Sequence, residues 1–493
     1  MDEQNSQPIS RQTLPPSVLV IFGATGNLVQ KKLIPALYHL LRGDYLPEQF
    51  SIVCVVRDPH ATIDSIVEKA EISMLRNEHD EDEAIMQKLK ERMRLITMDS
   101  TNPDDYHRLR DLLESIDRET QTAHNRLYYL AIPPEIFSNV ISCLGSAGLN
   151  DEQNGAARRA LVEKPFGTDL EDSKRLAAHM ATIFNEQQVY RIDHYLAKET
   201  AQNILAFRFN NPIIEDLWGR QFIDHIQITA AESHDIEGRA NFYEGMGALR
   251  DIIQSHLLQV MALVMMEVPH PLSAENIHTE KLALLNAVRP VKDNHIDEVA
   301  VRGQYEGYRT EVSNHESTVE TYAALHLEVT NTRWGGVPVL LRTGKALAQK
   351  TTEINIVFKD RSKRNVEPNI LTIRIQPDEG IGITLQAKRP GFDDDIQPVH
   401  MDFQYRESFG DYQPDAYEHV LVDAIMGDQS LFATSDEILA CWEILQPILS
   451  NWQQNQSQLH FYAKGSWGPE AAEELAKEYG SEWLSTADFA PKN

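Results

Sequence analysis

The chain has 493 residues, 42% of them hydrophobic and 24% charged, an ordinary globular balance in a chain too long for one simple core. A formal charge of −28 argues against a nucleic-acid backbone or an anionic membrane as partner, and no apolar stretch reaches the length of a membrane span. The N-terminus carries no basic-then-apolar secretion signal, so a cytoplasmic location is expected. Cys54, Cys143 and Cys441 lie far apart in apolar surroundings and read as buried free thiols.

Residues 1–16 are polar, with Pro8, Pro15 and Pro16, and read as a flexible leader. Val18-Leu19-Val20-Ile21-Phe22 is a continuous apolar run suited to a strand buried on both faces. Gly23-Ala24-Thr25-Gly26-Asn27-Leu28 follows it, and an amphipathic helix through Leu33, Leu37 and Leu40-Leu41 comes next. Strand, glycine turn and helix suit a pyrophosphate, which the backbone can approach closely at glycine and which the helix N-terminus attracts.

The second strand, Ile52–Val56, ends in Arg57-Asp58. An arginine there suits the 2′-phosphate of NADP, while the adjacent aspartate keeps NAD open as a weaker alternative. Further alternations begin at Arg94–Met98, Arg126–Leu130 and Ala160–Val162, each followed by a helix, and predict a parallel sheet with ligands at its C-terminal strand ends. Glu163-Lys164-Pro165-Phe166-Gly167 puts a lysine and a candidate cis-proline at one such end.

Near the middle, Arg191-Ile192-Asp193-His194-Tyr195-Leu196-Ala197-Lys198-Glu199 precedes an apolar helical run. His194, Tyr195 and Lys198, the last expected in the first helical turn, offer donors to one phosphate. Asp193 would repel that phosphate, which suits it to orienting an imidazole. Beyond it, Ile223–Thr229 alternates as a half-buried strand, Glu232 and Glu237-Gly238-Arg239 follow, and a long helix carries Arg250–Gln259. Alternating runs near 321–330, 338–344, 352–358, 370–376 and 382–387 predict one large, mostly antiparallel sheet, with basic Lys345 and Lys350 after a strand. The expected organisation is an α/β Rossmann-like dinucleotide-binding domain over 17–190, then a larger α+β domain over 191–493. No metal-ligand cluster stands out among the eighteen scattered histidines.

Together these stretches resemble the glucose-6-phosphate dehydrogenase family, from about Val18 to Trp467-Gly468-Pro469. The matching motifs are Gly23–Leu28 with Lys32–Leu37, then Glu163–Gly167, Arg191–Glu199, Glu237–Arg239, Arg250–Gln259 and Arg342–Leu347. The resemblance implies oxidation of glucose 6-phosphate to 6-phosphogluconolactone with reduction of NADP, and assembly as a homodimer or homotetramer. It implies His256 as general base and Asp193 as the carboxylate that orients it. His194, Tyr195, Lys198 and Lys345 would hold the sugar phosphate, and Glu232 and Asp251 the sugar hydroxyls. Lys350 stands where some relatives have arginine and is counted with the substrate groups, whereas Lys164 would touch both ligands. The cofactor set is Gly23, Ala24, Thr25, Gly26, Asn27, Leu28, Arg57, Lys164, and Met98 and Asp99 at the third strand end. Ala197 replaces a usual glycine, which raises the question of whether a positive φ is strained there.

The chemistry asks for such a set. Removing hydride from C1 of the sugar leaves positive charge developing there, so a base must take the C1 hydroxyl proton, and histidine titrates in the right range. Two rivals remain. One is a dehydrogenase of unphosphorylated sugars, which has no need of the phosphate donors. The other is a non-catalytic relative, which would have no need of His256 and Asp193.

Overall fold

Six apolar runs become the strands of one parallel sheet: β1 (Ser17–Phe22), β2 (Phe50–Val56), β3 (Met93–Thr97), β4 (Asn125–Leu130), β5 (Arg158–Val162) and β6 (Val189–Arg191). They belong to a computed structural model that describes residues 14–77, 82–152, 155–292, 295–361, 366–410 and 414–485. Of the leader expected over 1–16, residues 1–13 lie outside that set. The strand order is β3-β2-β1-β4-β5-β6, with every neighbouring pair parallel. This is a doubly wound dinucleotide-binding order, whose ligands lie at the carboxyl ends of the strands.

The chain divides into two compact units. The first holds the described residues of Met1–Gly167, Glu171–Ala197 and Pro414–Ser435, and the second those of Thr168–Leu170, Lys198–Gln413 and Asp436–Asn493. The first therefore extends past the expected boundary at 190 and takes in a segment from the region assigned to the second domain. The cause is the helix Ala416–Met426, whose Val420, Leu421, Ala424 and Ile425 enter the core around β1 and β4. Of these, Val420, Leu421 and Ile425 each contribute about 1.5–3 kcal/mol by burial, and Ala424 less. Arg159 of β5 donates to the last carbonyls of that helix, Ala424 at 2.6 Å and Ile425 at 2.8 Å, where a cation is favoured.

The second unit is built on β7 (Ile223–Ala231), β8 (Ala300–Tyr305), β9 (Tyr322–Glu328), β10 (Pro338–Gly344), β11 (Thr351–Phe358), β12 (Ile370–Gln376), β13 (Gly380–Lys388), β14 (Ile396–Gln404) and β15 (Leu459–Tyr462). Among the described residues these form one sheet in the order β14-β13-β12-β11-β7-β10-β9-β8-β15. Its pairs are antiparallel except β7 with β10 and β8 with β15. The parallel pair β7/β10 matters most, because it brings two like strand ends side by side. No helix among the described residues is long and apolar enough to cross a membrane.

Candidate active site

The first unit presents its cofactor candidates at the C-terminal ends of β1 to β5. Gly23 follows β1 with φ 78°, and a Cβ there would stand 2.3 Å from the Ala131 carbonyl oxygen after β4, so only glycine fits. Gly26 N–H closes the turn on the Gly23 carbonyl at 2.9 Å, leaving Thr25 and Asn27 exposed, Ala24 buried and Leu28 leading into the helix. Arg57 is exposed just past β2 and lies near Asp99, whose carboxyl is held below its usual range chiefly by the Thr101 N–H and hydroxyl, with Arg57 adding to them. Asp58 is engaged in its own turn, accepting the His60 N–H at 2.9 Å. Met98 N–H pairs with Val56 carbonyl at 2.9 Å, which fixes the end of β3 beside that of β2.

At the end of β5, Glu163 turns inward and accepts the Tyr129 hydroxyl at 2.5 Å, its carboxyl pushed up by burial against that bond. Lys164 is half-buried, and its bond to Pro165 is cis, as the sequence suggested. The Glu-Lys pair is thus divided, the glutamate being used inside the unit.

The stretch expected from the sequence to bind phosphate starts from a clamp. Arg191 is buried and pairs with Glu186 at 2.6 Å, while the Ser435 N–H also reaches Glu186 at 2.8 Å. Asp193, buried two residues on, accepts the Tyr195 N–H at 2.8 Å and the Leu196 N–H at 3.4 Å, and its carbonyl takes the Ala197 N–H at 3.1 Å. This turn sets His194 and Tyr195 side by side, ring centres 4.9 Å apart. Ala197 is not among the residues with positive φ, so the replacement of glycine there carries no backbone strain.

In the second unit Lys198 is the residue just before the helix Glu199–Phe209, at φ −74° and ψ 145°, and not in its first turn as expected. Its ammonium donates to Gln376 Oε1 at 2.7 Å, and Gln376 Nε2 donates to Thr352 at 3.1 Å. Gln376 was missed in the sequence, where a polar residue ending an ordinary strand gives no signal.

The parallel register pairs Gly344 with Ala231, so the next residues on each strand, Lys345 and Glu232, become neighbours. Their side chains form an ion pair. Lys345 is buried, with Asp251 Oδ2 at 3.8 Å and the Tyr243 ring centre at 5.6 Å from its ammonium. The Thr321 carbonyl accepts the Lys345 N–H at 2.9 Å, and Tyr462 donates to the Lys345 carbonyl at 2.8 Å. Lys350 lies beyond, exposed.

Asp251 and His256 sit on Leu249–Leu257, a helix of π type; the Leu258 N–H that ends it bonds the Ile253 carbonyl, five residues back. In that geometry residues five apart stand one above the other, so both side chains share a face. In an α-helix they would point well apart. Both are buried.

The comparisons with known proteins meet this geometry. The glucose-6-phosphate dehydrogenase NAD-binding domain matches residues 20–203, and the C-terminal domain of the same family matches residues 205–484. The chain belongs to the glucose-6-phosphate dehydrogenase family. It is 41% identical over 489 residues to a glucose-6-phosphate 1-dehydrogenase of Aggregatibacter actinomycetemcomitans, covering 96% of this chain and 98% of that one. It is 39% identical over 511 residues to that of Chlamydia muridarum (strain MoPn / Nigg), covering 98% and 100%. Among solved structures, a glucose-6-phosphate dehydrogenase in complex with glucose 6-phosphate superposes with a TM-score of 0.89 at 32% identity, covering 96% and 99%. The Mycobacterium avium glucose-6-phosphate 1-dehydrogenase follows at 0.81 and 36%, with the same coverage.

Proposed function

We propose that the chain oxidises D-glucose 6-phosphate to 6-phospho-D-glucono-1,5-lactone, the first step of the oxidative pentose phosphate pathway, with NADP as its preferred cofactor. The observation that carries the reading is the set of buried Asp251 and Lys345 and half-buried Glu232 on the same helix-and-strand framework as His256. NADP supplies the acceptor for the C1 hydride when bound. Residues of the first unit suit it: Gly23 admits only a bare backbone at the turn, Arg57 is exposed for a 2′-phosphate, and Asp58 is already committed to the His60 N–H.

In this reading His256 takes the C1 hydroxyl proton, and Asp193 orients the imidazole and stabilises its charged form. Glu232 and Asp251 accept hydrogen bonds from sugar hydroxyls. Lys345 belongs with them and not with the phosphate anchors, since the two carboxylates beside it offset its charge and would repel a phosphate. The phosphate falls to His194, Tyr195 and Lys198, Lys350 stays among the substrate groups, and Lys164 reaches both ligands. Anchoring the remote phosphate is what holds C1 at the base. Assembly as a homodimer or homotetramer is part of the same reading.

Titration calorimetry tests it directly. Glucose 6-phosphate should bind at least about tenfold more tightly than glucose, the scale of one charge-assisted bond. Equal affinities would refute the assignment of the phosphate anchors.

A further inference from the structure

The helix bearing Asp251 and His256 begins abruptly. The chain turns at Gly247, φ 73° and ψ 167°, and the helix starts from Ala248, which has no side chain to cap it. Such a start leaves N–H groups without helical partners, a need usually met by a neighbouring serine, threonine, asparagine or aspartate. Here both come from one distant residue. Glu320 accepts the Ala248 N–H on its carbonyl at 2.9 Å and the Leu249 N–H on carboxyl Oε1 at 3.0 Å. Its carboxyl is buried, at a cost borne only where it is hydrogen-bonded, and burial raises its pKa against the pull of Arg250 and the Leu249 N–H. A Cβ on Gly247 would lie 2.3 Å from Oε1, so glycine is what admits the carboxyl.

The same segment holds the opposite wall of the site. Thr321, the next residue, accepts the Lys345 N–H at 2.9 Å. We propose that Glu320 is a positioning residue, a remote cap that fixes the start of the helix Leu249–Leu257 and so sets Asp251 and His256 against Lys345. The inference rests on His256 being the base and deepens that reading.

The test compares Glu320→Gln, Glu320→Asp and Glu320→Ala in the full chain, measuring kcat, KM for glucose 6-phosphate and Kd for NADP. Gln keeps an acceptor at Oε1 and should stay within about threefold of the parent, whereas Asp keeps the charge but falls one methylene short and should lower kcat/KM at least about tenfold, with a raised KM. NADP affinity should not change. An active Glu320→Asp, or a Glu320→Gln that falls as far as Glu320→Asp, would overturn the cap; so would a loss confined to the active fraction with KM unaltered. If Glu320→Ala fails to fold, the Gln/Asp contrast decides alone. Turnover by His256→Asn at the parent rate would overturn the base assignment separately, and the KM contrast would still judge the cap.

Discussion

Asp251 and His256 share one face of their helix because it is wound in π fashion over Leu249–Leu257. In the proposed function these are a hydroxyl acceptor and a base fixed one above the other, so removing the base should leave sugar binding largely intact. His256→Asn should lower kcat by about 10²–10⁴, the usual worth of a general base, while Kd for NADP stays unchanged. Steady-state rates and a fluorescence titration check this. Parent-like turnover would place the base elsewhere.

Lys198 is held by Gln376, which is held by Thr352, so the ammonium is presented at a set height at the start of its helix. Lys198→Gln should raise KM for glucose 6-phosphate about 10–100-fold with a smaller change in kcat, in keeping with loss of a charge-assisted bond. Gln376→Ala should move the same parameter in the same direction by less. The measurement is a substrate titration at saturating NADP.

Arg57 stands exposed past β2 while Asp58 is tied into its own turn. Arg57→Ser should reduce kcat/KM for NADP at least about tenfold and leave that for NAD nearly constant, since only the 2′-phosphate loses a partner. Equal losses with both cofactors would mean that the arginine serves the fold.

Acid stability should report His326. It is buried on β9 with its ring stacked on Tyr479, centroids 3.4 Å apart, and burial pushes its pKa down to about 4. The unfolded chain binds this proton near pH 6.5, so between pH 6.5 and 4 unfolding is favoured as pH falls. The contribution is full above pH 6.5 and lost towards pH 4, about 3 kcal/mol in all. His326→Phe keeps a ring against Tyr479 and should flatten the decline of Tm across that window. An unchanged slope would assign the acid sensitivity to other groups.

Much of this was legible because apolar runs such as Val18–Phe22 and Ile52–Val56 are buried on both faces and leave little doubt about their strands. β8 was not legible, because Arg302 and Gln304 look like surface residues although both are buried and bonded to the backbone at Trp452 and Val319. β14 was missed for the opposite reason, being an edge strand largely exposed along its length. Of the site, the titratable residues stood out by type. Glu320 and Gln376 did not, because a cap and a tether act through spatial neighbours 71 and 178 positions away in sequence. Placement of Lys198 just before its helix, and of 414–435 with the first unit, likewise depends on packing that no local pattern encodes.

Oxidation of a phosphorylated sugar is read out by absorbance at the reduced-nicotinamide band. Purified protein would be given glucose 6-phosphate or glucose, each with NADP and with NAD. NADP should be reduced rapidly with glucose 6-phosphate, NAD more slowly, and neither to any extent with glucose. Equal rates with glucose would contradict the phosphate anchors and favour a dehydrogenase of unphosphorylated sugars; no reduction with any pair would contradict catalysis by His256 altogether.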